Sequence, residues 1–222
     1  MSRPKEIRSL IEKITAEMVG ASLCNRQNFP NMVDLGDEIT EIGITQSGAI
    51  GVALKNEPYS VIYRALDEAQ AYNFQMLDGG MVQMMYRFKK KEIVAHRLAF
   101  FPSPFLEEFQ NSPDIYNEDE IFAEVIAKNI VPFPVRFDFD CRDGVTRDVE
   151  HPHSHLTLGQ YQNCRIPVCS PVMPHQFVGF VLRNFYNTAS NRFSNFVPGC
   201  SWSFGRTITR NEERIPHFVC GS

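Results

Sequence analysis

Residues 73–100 read NFQMLDGGMVQMMYRFKKKEIVAHRLAF, and this stretch decides the fold. Two strand-like runs, Asn73–Leu77 and Met81–Phe88, flank Asp78-Gly79-Gly80, a turn sequence that requires a positive φ. Three lysines then turn the chain into a third run, Ile93–Phe100. Neighbouring strands joined by tight turns predict an antiparallel sheet.

Helical patterns bracket this sheet, so the fold class that we predict is α+β, with an antiparallel sheet flanked by helices. The predicted helices are residues 4–19, 60–71, 105–110, 118–128 and 174–186. The further predicted strands are residues 41–45, 49–54, 131–140 and 153–158. Residues 25–37 are predicted to be a loop, and the tail from residue 187 is predicted to be irregular. We expect one α+β domain over 1–190 and an irregular C-terminal extension over 191–222. No Gly-rich phosphate loop follows a strand, so the pattern does not favour a doubly wound nucleotide-binding fold.

The composition sets limits on the class of protein. Of the 222 residues, 43% are hydrophobic and 22% are charged, which predicts a packed globular core. The formal net charge of −4 argues against a chain dominated by non-specific nucleic-acid binding, although a local basic groove remains compatible with it. There is no run of ~18 apolar residues and no apolar leader, so we expect a cytoplasmic protein without a membrane segment. The six cysteines form no C-x-x-C pair, and we expect free thiols.

A polar strand face is the first candidate for chemistry. Arg136, Asp138 and Asp140 alternate with apolar residues, so their side chains share one face of a strand. This face either meets solvent or lines a polar cleft. The two carboxylates could supply oxygen ligands to a hard metal ion such as Mg²⁺.

A histidine run, His151-Pro152-His153-Ser154-His155, is the second candidate. Alternate residues of a strand share a face, which makes His153 and His155 the firmer pair, because Pro152 places His151 at the mouth of the strand. Three interpretations stay open. The imidazoles could bind Zn²⁺, with further ligands from Asp or Cys, and the candidates named for a metal are Asp138, Asp140 and His151. They could instead act as general base and acid in phosphodiester cleavage, or they could only fix a turn.

Basic residues elsewhere are candidates for binding phosphate, since guanidinium groups bind phosphate oxygens in pairs. Arg165 lies before a short apolar segment, and Arg183 lies on the helix predicted at 174–186. The pair His96-Arg97 lies near the end of a strand. For each of these, surface ion pairing is the alternative.

Four blocks carry a resemblance to a bacterial family of unknown function. They are HRLAFFPSP at 96–104, PVRFDFD at 134–140, HPHSHLTLGQYQNCRIPV at 151–168 and PHQFVGFVLRNFY at 174–186. The resemblance covers most of the chain, and the family brings no established activity with it.

The chain also resembles small RNase toxins of toxin–antitoxin systems. Some of these toxins pair an Arg-aromatic-Asp strand with a later His-rich strand, as Arg136-Phe137-Asp138 and His151–His155 do. This resemblance implies RNA cleavage. The metal-free form of the reaction is favoured over a metal-dependent one, because the sequence shows no full set of metal ligands.

Our hypothesis is a bacterial ribonuclease in a defence or toxin–antitoxin setting, with RNA and an antitoxin or effector protein as possible partners. His153 and His155 would be the acid–base pair, and Asp138 would orient a histidine or hold a metal. The cofactor would be none or a divalent metal. The residues that would contact substrate are Arg136, Arg165, Arg183, His96 and Arg97. The alternative is a non-catalytic subunit that docks on an effector protein, as the acidic pI of about 5.9 and the Phe-rich C-terminal third allow.

Overall fold

A computed structural model of the chain provides the coordinates. The structure describes residues 3–44, 57–105, 132–142, 144–161, 163–192 and 197–220. The helices are α1 (Arg3–Gly20), α2 (Tyr59–Glu68), α3 (Pro174–Phe185) and α4 (Asn187–Arg192), with a 3-10 turn at Glu212–Arg214. The strands are β1 (Cys24–Gln27), β2 (Asn31–Asp34), β3 (Ile39–Gly43), β4 (Phe74–Met76), β5 (Met81–Lys89), β6 (Glu92–Phe101), β7 (Val135–Asp140), β8 (Ser154–Leu158) and β9 (Ile166–Pro167).

These nine strands form one antiparallel sheet. Its order is β1-β4-β5-β6-β7-β8-β9, and β3 pairs with both β2 and β5. The β5–β6 hairpin is the longest pairing and runs from Met81 opposite Phe101 to Lys89 opposite Glu92. The predicted α+β class with an antiparallel sheet is therefore confirmed. None of the helices in the described part of the chain is long and apolar enough to cross a bilayer.

One face of the sheet holds the main core, because alternate strand residues point towards α1 and α3. The rings of Tyr86, Phe100 and Phe137 are almost fully buried there, together with Ile11 from α1 and Phe177 from α3. Burying one such side chain contributes roughly 1.5–3 kcal/mol. This apolar face sets the register, since a shift by one residue would turn every strand over.

The opposite face is divided. At one end α2 packs Ile62 and Leu66 onto Met81, Ala99 and Phe101. The strands β6, β7 and β8 continue beyond that contact and carry charged side chains at the same alternate positions. This polar face is where the candidate site lies.

Two expectations about irregular segments were wrong. Residues 25–37 contain the strands β1 and β2 instead of a continuous loop, and residues 187–192 form α4. All four residues of β2 are exposed. This edge strand therefore lacks the alternation of buried and exposed positions from which a strand is predicted in a sequence. The strand predicted at 49–54 and the helices predicted at 105–110 and 118–128 lie outside the described residues, apart from Phe105.

The described part of the C-terminal segment packs against the same core as the strands. Phe204 is buried, and the indole Nε1 of Trp202 donates a hydrogen bond to Glu6 on α1 at 2.7 Å. Phe218 forms a parallel bridge with Val168. The division of the chain at residue 190 stays a prediction.

Candidate active site

A row of three polar side chains crosses the sheet. Asp138 on β7 lies opposite Arg97 on β6 and opposite His155 on β8. Directly opposite residues of an antiparallel sheet project from the same face and interact. The guanidinium Nε of Arg97 donates to Oδ1 of Asp138 at 3.1 Å. The sheet register itself therefore assembles the row.

A second arginine contacts the same carboxylate. Arg136 lies two residues before Asp138, and its Nε is 3.5 Å from Oδ2. The side chains of Arg97, Arg136 and Asp138 retain 20%, 15% and 16% of their full exposure, so all three are partly shielded from water. Burial alone would raise the pKa of Asp138, but the positive charges of Arg136 and Arg97 outweigh it and hold the pKa below its usual range. Asp138 is thus an ionised carboxylate at neutral pH.

His155 is the buried imidazole of the row, with 6% of its surface exposed. Its Nδ1 is 3.0 Å from the carbonyl oxygen of Pro152. A carbonyl oxygen only accepts, so Nδ1 carries the proton and Nε2 is the nitrogen that remains for proton exchange. Burial lowers the pKa of His155, and the nearby charge of Asp138 opposes that effect without reversing it. The ring is neutral at pH 7, which is the form required of a general base.

His151 is close to this imidazole. The centroids of the His151 and His155 rings are 5.1 Å apart, with an edge-to-face arrangement. His151 lies before β8, at the mouth of the strand as the sequence indicates, yet its ring reaches the site. Burial, followed by the charge of Arg165, lowers the pKa of His151.

The site carries an excess of positive charge. Arg165 is near enough to influence the pKa values of His151, His155 and Arg136. Arg97 and Arg136 share one carboxylate, Asp138, while His151 and His155 are neutral. These two arginines and Asp138 therefore carry one net positive charge, an arrangement that favours a bound anion.

His153 lies directly before β8, and its carbonyl oxygen accepts a hydrogen bond from the backbone N–H of Asp140 at 3.0 Å. Its Nδ1 is 3.0 Å from the carbonyl oxygen of Asp140, and its Nε2 is 3.4 Å from the hydroxyl of Thr146. Both ring nitrogens thus have protein neighbours at the end of β7, to one side of the Arg97–Asp138–His155 row.

The structure does not bring His96 and Arg183 into this group. His96 projects into the core face, where it is 2% exposed and its Nε2 accepts the backbone N–H of Val172 at 3.0 Å. Burial lowers its pKa to about 3. Arg183 is exposed on α3, which covers that same core face.

Thr157 was absent from the predicted site. It lies opposite Arg136 in the register, is buried, and shares the face of His155 because it is two residues further along β8. Counting by two from His155 is a signal that would have identified it.

The carboxylates named as possible metal ligands each face arginine. Asp140 accepts two hydrogen bonds from the guanidinium Nε of Arg142 at 2.9 and 3.1 Å, and Asp138 is held as described above. Within the described ranges, no group of three or more His, Cys, Asp or Glu side chains is placed to hold a metal ion.

Comparison with known proteins gives a family and no further relatives. A search of curated proteins and a search of solved structures returned no significant match. One family model, described as an uncharacterized conserved protein (DUF2290), matches residues 23–220. The matched region includes every strand of the sheet and every residue of the polar row. The chain therefore belongs to the DUF2290 family.

Proposed function

We propose that this protein is a cytoplasmic bacterial ribonuclease that cleaves RNA by histidine acid–base catalysis, in a toxin–antitoxin or antiviral defence setting. The observation that carries the proposal is the row Arg97–Asp138–His155, in which a neutral imidazole lies beside a carboxylate flanked by two guanidinium groups. Excess positive charge suits a phosphodiester, and RNA supplies its own nucleophile, the 2′-hydroxyl. The protein then needs only a base, an acid and a cradle for the phosphate.

In the proposed reaction, Nε2 of His155 removes the proton from the 2′-hydroxyl. The 2′-oxygen attacks phosphorus, and the bond from phosphorus to the 5′-oxygen breaks. His151, protonated once the phosphate charge offsets Arg165, delivers a proton to the leaving 5′-oxygen. The products are a 2′,3′-cyclic phosphate and a free 5′-hydroxyl, and water restores the proton balance of the two histidines.

The arginines and Asp138 have distinct roles in this scheme. Arg136 and Arg165 bind the phosphate oxygens and stabilise the charge that develops on them. Asp138 keeps Arg97 and Arg136 in place and lies beside the imidazolium that forms on His155. His151 takes the second acid–base role, which the sequence assigned to His153, because its ring lies against His155 while both nitrogens of His153 have protein neighbours.

The test is cleavage of a mixed-sequence RNA by His155→Asn and His151→Asn variants. We expect each to lower the rate about 10²–10⁴-fold, with an unchanged thermal unfolding midpoint. His175→Asn is the matched control, since His175 is a half-buried imidazole on α3 outside the site. Cleavage at the wild-type rate by His155→Asn would overturn the proposal.

The nucleophile has its own test. A single 2′-deoxynucleotide at the scissile position should block cleavage there and nowhere else in the strand. Cleavage at that position would show that water is the nucleophile and would exclude attack by the 2′-hydroxyl.

The second candidate function is a non-catalytic subunit that docks on an effector protein. The observation in its favour is the edge strand β2, where Met32 and Val33 are exposed next to exposed Phe29 and Leu35. Edge strands with apolar side chains are typical sites of added strands. Within the described part of the Phe-rich C-terminal third, the rings of Phe177 and Phe204 are buried and do not add to this surface. If Val33→Lys abolishes a stoichiometric complex while His155→Asn has no effect on function, this candidate replaces the first.

A further inference from the structure

The segment that carries His151 is a closed hairpin. Arg147 and His151 pair through two backbone hydrogen bonds, from Arg147 N–H to the His151 carbonyl at 3.0 Å and from His151 N–H to the Arg147 carbonyl at 2.8 Å. Only three residues lie between them. The position of the His151 ring therefore depends on the shape of this short turn.

The turn holds an unfavourable backbone conformation. Val149 has a φ of 68°, in the left-handed region. A β-branched side chain is rarely found there, because its methyl groups crowd the backbone, and such residues persist only when their surroundings hold them. A valine at this position implies an external contact that keeps the hairpin in shape.

That contact comes from the C-terminal turn, residues 209–212. The carboxylate of Asp148 accepts a hydrogen bond from the Thr209 hydroxyl at 2.5 Å and another from the Asn211 side-chain amide at 2.6 Å. The backbone N–H of Val149 points at Oε1 of Glu212 at 3.5 Å. Two residues of the hairpin are thus tied to a segment about 60 positions further along the chain.

The C-terminal turn has hydrogen bonds of its own that do not involve the hairpin. The Thr209 N–H donates to Oε2 of Glu212 at 2.9 Å, and the Glu212 N–H donates to the Thr209 hydroxyl at 3.2 Å. This reciprocal pair is a capping box, and Glu212 is buried. A pre-organised turn loses little conformational freedom on contact, so it can impose its geometry on the hairpin.

We propose that the C-terminal turn clamps the 147–151 hairpin through Asp148 and thereby positions His151 against His155. Asp148 is a positioning residue, since it acts through His151 and touches no reacting atom. The expected effect on catalysis rests on the proposed function. The effect of Asp148 on the position of the His151 ring rests only on the contacts of the hairpin. It also gives the otherwise irregular C-terminal segment a role in the site.

The test compares Asp148→Ala with Asp34→Ala. Asp34 is the matched control, because it too is an exposed aspartate that accepts a hydrogen bond in a turn, from the Gly36 N–H at 2.9 Å, but on the β2–β3 hairpin. We expect Asp148→Ala to lower kcat for RNA cleavage by about 10- to 100-fold with KM unchanged. The control should leave both constants unchanged.

A rescue variant separates positioning from general loss of structure. Asparagine adopts positive φ more readily than valine, so Val149→Asn should let the hairpin keep its shape without the clamp. Most of the lost kcat should return in Asp148→Ala/Val149→Asn. If the double variant is as slow as Asp148→Ala, Asp148 does not act through the hairpin.

A nuclear Overhauser contact between the His151 and His155 rings provides a readout that does not need activity. It should be present in the wild-type protein, be lost in Asp148→Ala and return in the double variant. Persistence of the contact in Asp148→Ala would overturn the clamp, whatever the nuclease assays show. Loss of the contact in a protein without nuclease activity would support the clamp and reject the proposed function.

Discussion

His96 and His155 are buried histidines on opposite faces of the same group of strands. Burial lowers the pKa of both, and both are neutral at pH 7. His96 has rings of Tyr86 and Phe139 as neighbours and gives its Nε2 to a backbone N–H. His155 has Asp138 and arginines as neighbours and keeps Nε2 for proton exchange. Burial of a histidine therefore says little about its role, while the chemistry of its neighbours separates a structural imidazole from a candidate base.

The largest expected loss of stability comes from a substitution on the core face. Phe137 precedes Asp138 on β7, and its ring lies 5.2 Å from that of Phe180 and 5.3 Å from that of Phe218. Phe137→Ala leaves a cavity among these rings, so we expect it to lower the free energy of unfolding by about 3–5 kcal/mol. Urea denaturation measures this. If Phe137→Ala lowers the free energy of unfolding by less than about 1 kcal/mol, the core face is no more tightly packed than the polar face.

On the polar face, Asp138→Asn removes the negative charge shared by two guanidinium groups. Charged hydrogen bonds contribute about 1.5–3 kcal/mol each, so we expect a loss of stability in that range. The vacated site then has a larger positive excess and should bind anions more tightly. The loss measured in chloride should accordingly shrink in phosphate buffer, because an anion bound to the folded state stabilises it. Equal losses in the two buffers would contradict an anion site between Arg97 and Arg136.

The contrast between the faces also marks what the sequence could predict. The Asp78-Gly79-Gly80 turn and the alternation of Arg136, Asp138 and Asp140 were enough to predict the hairpin and the polar face, since both signals are local. The pairing of Asp138 with Arg97 and His155 depends on the register of three strands, and single-strand periodicity contains no information about register.

Other features depended on contacts between distant segments. His151 lies outside any strand, so strand periodicity could not show that its ring reaches His155. In the sequence, His96 and Arg97 form one candidate pair, but neighbours on a strand point to opposite sides, so Arg97 alone of the two lies in the polar row. The clamp on Asp148 joins positions about 60 residues apart and has no sequence pattern of its own.

The pH dependence of stability tests the role of the buried His96. Its pKa is about 3 in the folded protein against 6.5 for an ordinary histidine, so the folded state resists protonation. The stabilising contribution is complete above pH 6.5 and is lost as the pH falls from 6.5 towards 3, at up to about 1.4 kcal/mol per pH unit. We expect His96→Gln, whose side-chain oxygen can still accept the Val172 N–H, to show a flatter decline. Parallel curves for variant and wild type in urea titrations between pH 7 and 4.5 would exclude His96 as a source of acid sensitivity.

The smallest expected effect comes from the rim of the polar face, at Arg142 and Asp140. Arg142 forms an ion pair with Asp140, as Arg97 does with Asp138 nearer the centre of the sheet, but the side chain of Arg142 is 67% exposed against 20% for Arg97. Exposed ion pairs are screened by water and salt, and the backbone N–H of Arg142 would still donate to Asp140 after truncation. We expect Arg142→Ala to cost no more than about 0.5 kcal/mol in urea denaturation, less still in high salt, and several times less than Arg97→Ala. Equal costs for the two arginines would show that the rim is as well shielded as the centre of the face, and the distinction between a solvated edge and a shielded polar row would fail.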